Sequence, residues 1–388
     1  MRFLHTSDWH LGRSFHRVDL LGAQAAFLDH LVATVRERGV DAVLVAGDVY
    51  DRALPPLAAV ELFDRALHSL AEARVPTVMI SGNHDSARRL GVGAGLIQRA
   101  GIHLRTNPEG CGTPVVLSDV HGDVAFYGLP YLEPTLVRRR LKAAKAGHES
   151  VLSAAMKRVR ADLATRREGT RSVVLAHAFV AGGAPSDSER DITVGGVSAV
   201  PAGVFDGVHY VALGHLHGAQ RITDRVRYSG SPLAYSFSET NHRKSMWLVD
   251  LDAEGGVTAE RLDCPVPRPL ARIRGQLDVL LEDPALERHE ASWIEATLTD
   301  PVRPHDAMAK LCERFPHTVS LIFEPEHTGT EAHGSYAQRL KGRTDQQIAE
   351  DFVAHVRGGS GPDDRERTVL RGAFEDVRVD ESVREVAR

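Results

Sequence analysis

Apolar runs rich in Val, Ile and Leu, each closed by Gly, Asp or Pro, punctuate the chain: RFLHTSD, DAVLVAGD, VPTVMISGNHD, RSVVLAHA, VHYVALGHLH and SMWLVDLD. Short apolar runs bounded by turn formers predict buried strands. Between the first of them, residues 23–38 carry Phe27, Leu28, Leu31, Val32 and Val35, and residues 57–73 carry Leu62, Phe63, Leu67 and Leu70. That is the spacing of helices with one apolar face. Strands alternating with helices predict a layered α/β core. The later strands follow one another without long helices between them, so the sheets are expected to be mixed, with a second sheet packed on the first.

The pattern changes at DCPVPRP, residues 263–269, where three prolines predict a boundary. Beyond it the chain reads as strand 268–275, helix 276–282, strand 292–299, helix 305–315 and strand 318–323, a small α/β module. Residues 328–343 are polar and read as loop. Thr344 and Gln347 have the spacing of a capping box for a helix through Val356, with Ile348, Phe352, Val353 and Val356 on one side. After GGSGPDD, the positions of Val369, Leu370, Phe374 and Val377 predict a second helix, so the chain is expected to end as a pair of short amphipathic helices. Such a pair either folds back on its own domain or offers its apolar stripe to a partner helix. The expected parts are 1–265, 266–340 and 341–388.

Composition narrows the function classes. Lys and Arg number 47 against 52 Asp and Glu, a net charge of -5, so the chain lacks the global basic field that coats nucleic acid, and any DNA contact must be local. LVRRRLKAAK (136–145) and MKRVRADLATRREGTR (156–171) are basic, either as solvated helix faces or as contacts for a polyanion. Cys111, Cys264 and Cys312 are odd in number and lie far apart, which argues against a disulfide framework or a zinc knuckle and for a reducing compartment. MRFLHTSDWH is too polar for a signal peptide, and no run approaches 18 apolar residues. A cytoplasmic protein, outside the membrane, is expected.

Histidine, with 20 copies, is the anomaly. At the C-terminal ends of the predicted strands stand Asp8 and His10, then Asp48, then Asn83, His84 and Asp85, then His177, then His215 and His217. Ligands of open α/β sheets bind outside those ends. A buried polar group without a partner costs about 1–3 kcal/mol, so a rim this rich in them needs mutual hydrogen bonds or cations. His215 and His217, one residue apart after an apolar run, would leave the same face of a strand and converge. Imidazole, carboxylate and amide donors without thiolate favour manganese, iron or zinc. The groups at these strand ends exceed the three or four protein ligands of one catalytic zinc. Two metals bridged by one carboxylate suit them better, the arrangement that clamps both oxygens of a phosphoryl displacement.

DWH, GDVYD, GNHD, VLAHA and GHLH, in this order, resemble the five metal motifs of calcineurin-like metallophosphoesterases. More narrowly, HTSDWHLG, SGNHDSARRL, SDSERDITVGG, YVALGHLH and YSGSPLAYSFSE resemble the SbcD family of nuclease subunits, relatives of the eukaryotic and archaeal recombination nucleases. The similarity runs from residue 1 to about 265, and weaker signatures liken the rest to that family's DNA-facing cap and ATPase-binding helices. The resemblance implies two packed mixed sheets flanked by helices, with Asp8, His10, Asp48 and His217 on one metal and Asp48, Asn83, His177 and His215 on the other. It implies manganese, with magnesium the alternative. His84 would act on the scissile phosphate or protonate the leaving oxygen, and Asp85 would orient its ring.

The same resemblance implies 3′ to 5′ exonuclease action on double-stranded DNA and endonuclease action on single strands and hairpins. It implies an SMC-like ATPase partner, SbcC, and a nuclease homodimer within a heterotetramer, paired through helices at 57–73 and 86–99. No GxxxxGK[ST] phosphate loop occurs in the chain, so ATP must be hydrolysed elsewhere. Some members of the family have histidine where Asp51 stands; Asp51 is read as a structural carboxylate and His5 as a satisfied core residue. His16, His103, His121, His148 and His242 are read as surface. Arg13, Arg52, Arg88 and Arg89, beside the motifs, would meet either phosphates or the surplus acids. Two other classes compete. A small-substrate enzyme, such as a cyclic-nucleotide phosphodiesterase or nucleotide pyrophosphatase, would not need the C-terminal extension, and a non-catalytic scaffold would not need every ligand.

Overall fold

The computed structural model describes residues 1–192, 199–326, 343–357 and 359–386, with side chains described as far as residue 375. The chain forms two compact units, Met1–Leu270 and Ala271–Arg388. The loop expected at 328–343 lies, but for its last residue, outside the described residues, as does the end of SDSERDITVGG.

The first unit holds two six-stranded sheets. One is ordered Val257–Asp263, Ser245–Leu251, Arg2–Thr6, Ala42–Ala46, Thr77–Ile80, Ile102–Arg105, its last four strands parallel. The other is ordered Gln220–Arg221, Val226–Tyr228, Tyr210–Gly214, Arg171–His177, Gly122–Leu129, Val115–Asp119, its middle four parallel. Antiparallel strands close the edges, so both sheets are mixed.

Alternation along each strand builds the layers. Phe3, Leu44, Val78 and Ile80 of the first sheet and Phe126, Val173, Leu175 and Tyr210 of the second form the core between them. The intervening Leu4, Val43, Val45 and Met79 pack with Phe27, Leu31, Leu62 and Leu70 of helices Leu21–Glu37 and Leu57–Glu72. On the far side, Val174, Ala176, Val211 and Leu213 pack with Leu152, Met156 and Val159 of helix His148–Leu163. Burying one such Leu or Phe contributes about 1.5–3 kcal/mol, so a strand flanked by two apolar layers is held from both faces.

Helices Pro134–Leu141 and His148–Leu163 separate the parallel strands Gly122–Leu129 and Arg171–His177, which corrects the expectation that later strands lack long helices between them. Their basic residues hid the period. Val151, Leu152, Ala155, Met156 and Val159 face the core, while Arg158 donates to the Glu109 and Arg140 carbonyls and Arg160 to the Asp206 and Val204 carbonyls. Those arginines tie loops to a helix. His148, expected at the surface, is buried, with Nε2 2.7 Å from the Ile192 carbonyl.

The second unit has a three-stranded sheet, Leu270–Gly275, Trp293–Leu298, Thr318–Phe323, with helices Leu277–Glu282 and Ala307–Arg314. Ile273, Ile294, Leu298, Leu311 and Phe315 form its core. Helix Asp345–Val356 begins with the expected capping box between Thr344 and Gln347. The last helix, Asp364–Val386, has 23 residues, longer than the short one expected.

Candidate metal centre

The parallel strands of both sheets end at one rim. Strands Arg2–Thr6, Ala42–Ala46 and Thr77–Ile80 lead into Asp8 and His10, Asp48, and Asn83 to Asp85; Arg171–His177 ends on His177, and Tyr210–Gly214 precedes His215. Asp8, His10, Asp48 and His215 have left-handed backbones, at φ 53°, 45°, 47° and 109°. Such conformations cost a non-glycine residue of order 1–3 kcal/mol and persist where surroundings impose them. His215 and His217 therefore do not leave one face of a strand, as their spacing predicted. The strand stops at Gly214, and the loop sends the rings apart: His215 lies 5.4 Å from the His177 ring, and His217 4.9 Å from the His10 ring.

Glycine makes the crowding tolerable. A Cβ on Gly47 (φ +94°) would stand 2.4 Å from Nδ1 of His177, and one on Gly82 2.1 Å from Oδ1 of Asp48. Only hydrogen fits at either position.

Among the described residues, Asp8, His10 and His217 bring donor atoms within 4.8 Å of one another, as do Asp8, Asp48 and His177, and as do His10, Asp48 and His84; the first two groups consist of expected ligands alone. In the first, Nε2 of His10 lies 3.1 Å from Nε2 of His217. In the second, Oδ1 of Asn83 lies 2.7 Å from Nε2 of His177 and 3.3 Å from Nδ1 of His215. Asp48 reaches both. Its Oδ1 accepts the His84 amide at 2.8 Å, leaving Oδ2 3.7 Å from Nε2 of His10 and 3.4 Å from Nε2 of His177. Asp8 accepts the His215 amide at 3.0 Å and the Ser7 hydroxyl at 2.5 Å. All seven expected ligands thus converge.

These residues fit divalent cations. Atoms with lone pairs face one another there: Nε2 of His10 meets Nε2 of His217, and Oδ1 of Asn83 meets the ring nitrogens of His177 and His215, a donor set that a cation would satisfy. Nδ1 of His177 donates to the Ala46 carbonyl at 2.9 Å, which turns Nε2 toward Asp48 and Asn83, as metal-binding imidazoles are held. Burial also works against charge here. It pushes the Asp8 carboxyl up to about 6 and, with His177 beside it, lowers His215 to about 3. Burial opposes charge on His177 too, but the Asp48 carboxylate outweighs it and lifts His177 to about 9.

Asp85 needs a correction. No hydrogen bond joins it to the His84 ring; its carboxylate accepts the amides of Val49, Tyr50 and Gly82 at 3.1, 2.9 and 2.9 Å, and burial pushes it up to about 7. It pins two motif loops together. Nδ1 of His84 instead donates to the Asp51 carbonyl at 2.8 Å, and the ring packs edge-on against His10 at 4.7 Å. Asp51 itself lies 3.6 Å from Nδ1 of His10 and 3.7 and 3.8 Å from Arg13 and Arg52. His5 is a satisfied core residue, with Nδ1 3.0 Å from the Tyr210 hydroxyl and Nε2 3.1 Å from the Leu213 carbonyl.

Beside Asn83 a cavity of about 590 Å³ opens, lined by Tyr131, Glu133, Leu136, Arg88, Arg140 and Arg190 among others. Arg140 pairs with Glu109, whereas Arg88 and Arg190 make no ion pair among the described residues. Sequence reasoning did not single out Ser188, Glu189, Glu239 or Lys244, which surround His217. They lie within or just after the quoted SDSERDITVGG and YSGSPLAYSFSE, where the signal was present without a chemistry attached.

A family model for calcineurin-like phosphoesterases matches residues 1–219, and one described as the Type 5 capsule protein repressor C-terminal domain, of the SbcD C-terminal type, matches 266–357. Similar solved structures include a protein of Thermus thermophilus at 14% identity, covering 67% of this chain and 98% of its own, with a TM-score of 0.39. A dimetal phosphatase from Danio rerio has 14% identity, coverage of 68% and 96%, and a TM-score of 0.37. A novel archaeal phosphodiesterase has 9% identity, coverage of 68% and 100%, and a TM-score of 0.30. No helix among the described residues is long and apolar enough to cross a membrane.

Proposed function

The chain belongs to the calcineurin-like phosphoesterase family, as an SbcD-type member and a metal-dependent phosphoesterase, and from that premise we propose that it is a two-metal DNA nuclease acting on duplex ends and hairpins. The observation that carries the reading is Asp48, whose free oxygen lies between His10 and His177 of two donor groups, in a chain with an SbcD-type C-terminal domain. Asp8, His10, Asp48 and His217 would hold one metal, and Asp48, Asn83, His177 and His215 the other. Manganese is the proposed ion and magnesium its alternative. Bound there, such ions lower the pKa of water and stabilise the attacking and leaving oxygens of an in-line displacement.

The chain's own residues supply the rest. The Asp51 carbonyl occupies Nδ1 of His84, so Nε2 is the atom free to pass a proton to the leaving oxygen. A positioned donor of this kind contributes roughly 10²- to 10⁴-fold. Asp85, by holding the GDVYD and GNHD loops together, keeps His84 and Asp48 in register. Arg88 and Arg190, on the wall of the cavity beside Asn83, are placed to hold phosphates flanking the scissile one. Phosphate and shape, rather than base edges, would be read.

The C-terminal helices would bind an SMC-like ATPase, SbcC; Phe352, Val356 and Val369 are 56%, 64% and 69% exposed on them. Leu57, Val92 and Leu96, 73%, 72% and 70% exposed, would pair two nuclease chains. Such a complex would work on chromosomal DNA in the cytoplasm.

The test is a gel assay of end-labelled blunt and hairpin DNA with the chain alone and with its ATPase partner, in manganese, magnesium and EDTA. Manganese-dependent cleavage lost in Asp48→Ala and His84→Ala supports the reading, and the product ladder gives the polarity. No cleavage under any condition, with metal bound normally, would turn the assignment to a small nucleotide substrate or a scaffold.

A further inference from the structure

One imidazole of the centre is held differently from the rest. Nδ1 of His217 lies 2.5 Å from Oγ of Ser188, and that hydroxyl donates to Oε1 of Glu239 at 2.7 Å. Oε2 of Glu239 is ion-paired with Lys244, whose other two donors go to Oγ of Ser231 at 2.9 Å and the His217 carbonyl at 3.0 Å. Ser188, Glu239 and Lys244 are 8%, 2% and 4% exposed. A buried ion pair this enclosed is weak evidence for stability, since apolar residues of like volume often do as well. Its place in a chain ending on a metal-facing ring needs another reason.

The reason follows from counting hydrogens. A carboxylate paired with an ammonium only accepts. The single Ser188 hydrogen therefore goes to Glu239. Ser186, 2.9 Å from Ser188, has no hydrogen to offer it, because its own goes to Oε2 of Glu189 at 2.6 Å, and as an acceptor it is a neutral oxygen farther off than the Glu239 carboxylate at 2.7 Å. Oγ of Ser188 is left with lone pairs only, so Nδ1 of His217 carries a hydrogen and, in the neutral ring, Nε2 is bare, 3.1 Å from Nε2 of His10. Oε1 of Glu189 and Nζ of Lys244 hold the main chain of the same residue on either side. His177 takes its orientation from a main-chain carbonyl instead.

We propose that Glu239, acting through Ser188, sets the tautomer and ring orientation of His217, making both positioning residues for one of the two metal positions and not the other. This rests on the reading of the rim as a two-metal centre. In Glu239→Gln the Lys244 ammonium holds the amide oxygen, so the amide nitrogen takes the place of Oε1, gives up the Tyr235 amide that Oε1 accepts at 3.0 Å and donates to Ser188, which frees the Ser188 hydrogen for Nδ1 and moves the imidazole hydrogen to Nε2.

The experiment uses the full chain. Calorimetric titration with manganese should show two binding events in the wild type. In Ser188→Ala and Glu239→Gln one affinity should fall about 10- to 100-fold with the other unchanged, and Ser188→Thr should restore it. Histidine ¹⁵N spectra of the metal-free chain, assigned by difference against His217→Ala, should show the Nδ1–H form in the wild type and the Nε2–H form in Glu239→Gln. Equal weakening of both events, no weakening, or an Nε2–H wild type would overturn the relay. A wild type that binds no manganese would instead sink the metal reading, while the spectra still decide the relay.

Discussion

The rim of the first unit and the helices of the second invert the usual rule of burial in opposite directions. At the rim, Asp8, His10, Asp48, His177 and His217 are polar and buried. On the C-terminal helices, Phe352, Val356 and Val369 are apolar and exposed. Either inversion costs free energy in the isolated chain, unless something else meets the groups. A cation would repay the first and an apolar surface the second. His5 sharpens the contrast. It is buried in the strand leading to the rim, yet Tyr210 and Leu213 satisfy both its nitrogens, so it needs no ion.

The largest expected effect breaks the rim at its shared atom. Asp48→Ala should abolish metal-dependent hydrolysis, a loss beyond the roughly 10²- to 10⁴-fold of a proton donor, and manganese titration should show both sites weakened. His84→Ala should lose that 10²- to 10⁴-fold in kcat with both manganese events intact; loss of metal binding would make His84 a ligand. Gly47→Ala places a methyl against His177 and strains a left-handed backbone, a cost of order 1–3 kcal/mol read as a lower Tm, together with weaker metal binding.

His5 tests the satisfied end of the contrast. Removing its ring as Ala leaves the Tyr210 hydroxyl alone, about 1–3 kcal/mol of stability, with metal affinity unchanged. Its pH dependence is also set. Burial, only partly offset by the Leu213 carbonyl, lowers His5 from 6.5 to about 3. As pH falls through that window the unfolded chain takes a proton the folded chain refuses, so this contribution is whole above pH 6.5 and lost toward 3. Tm against pH should be flatter in His5→Gln. Last, Phe352→Glu should change stability by no more than about 0.5 kcal/mol yet weaken capture of the ATPase partner, read by co-purification. Unchanged capture would dissolve the comparison at its exposed end.

Much of the rim was legible because strand ends announce themselves. An apolar run followed by Gly and then Asp, Asn or His marks both where a strand stops and what it presents, as at GDVYD, GNHD and GHLH. The resemblance implies that Asp85 orients the His84 ring, but a motif does not say where a carboxylate turns; three amides, two from another loop, claim it. Helix His148–Leu163 escapes the pattern because Lys157, Arg158 and Arg160 interrupt its apolar period, although they lie off its buried face, where Arg158 and Arg160 hold carbonyls of neighbouring segments. His148 looked like surface until the Ile192 carbonyl reached it.

Local order alone marked six strands of the core, the two flanking helices, the boundary near the prolines and the carboxylate, imidazole and amide groups at the strand ends, since each follows from periodicity and turn chemistry within a few residues; which seven of those groups are ligands is what the family resemblance implies. Which nitrogen of each imidazole faces the centre was decided only when the two sheets packed. A ring's tautomer depends on what its other nitrogen meets. For His177 that partner is the Ala46 carbonyl from the opposite sheet, and for His217 it is Ser188, itself set by Glu239 and Lys244. No spacing along the chain encodes those meetings, because they are made by the packing of elements far apart in sequence.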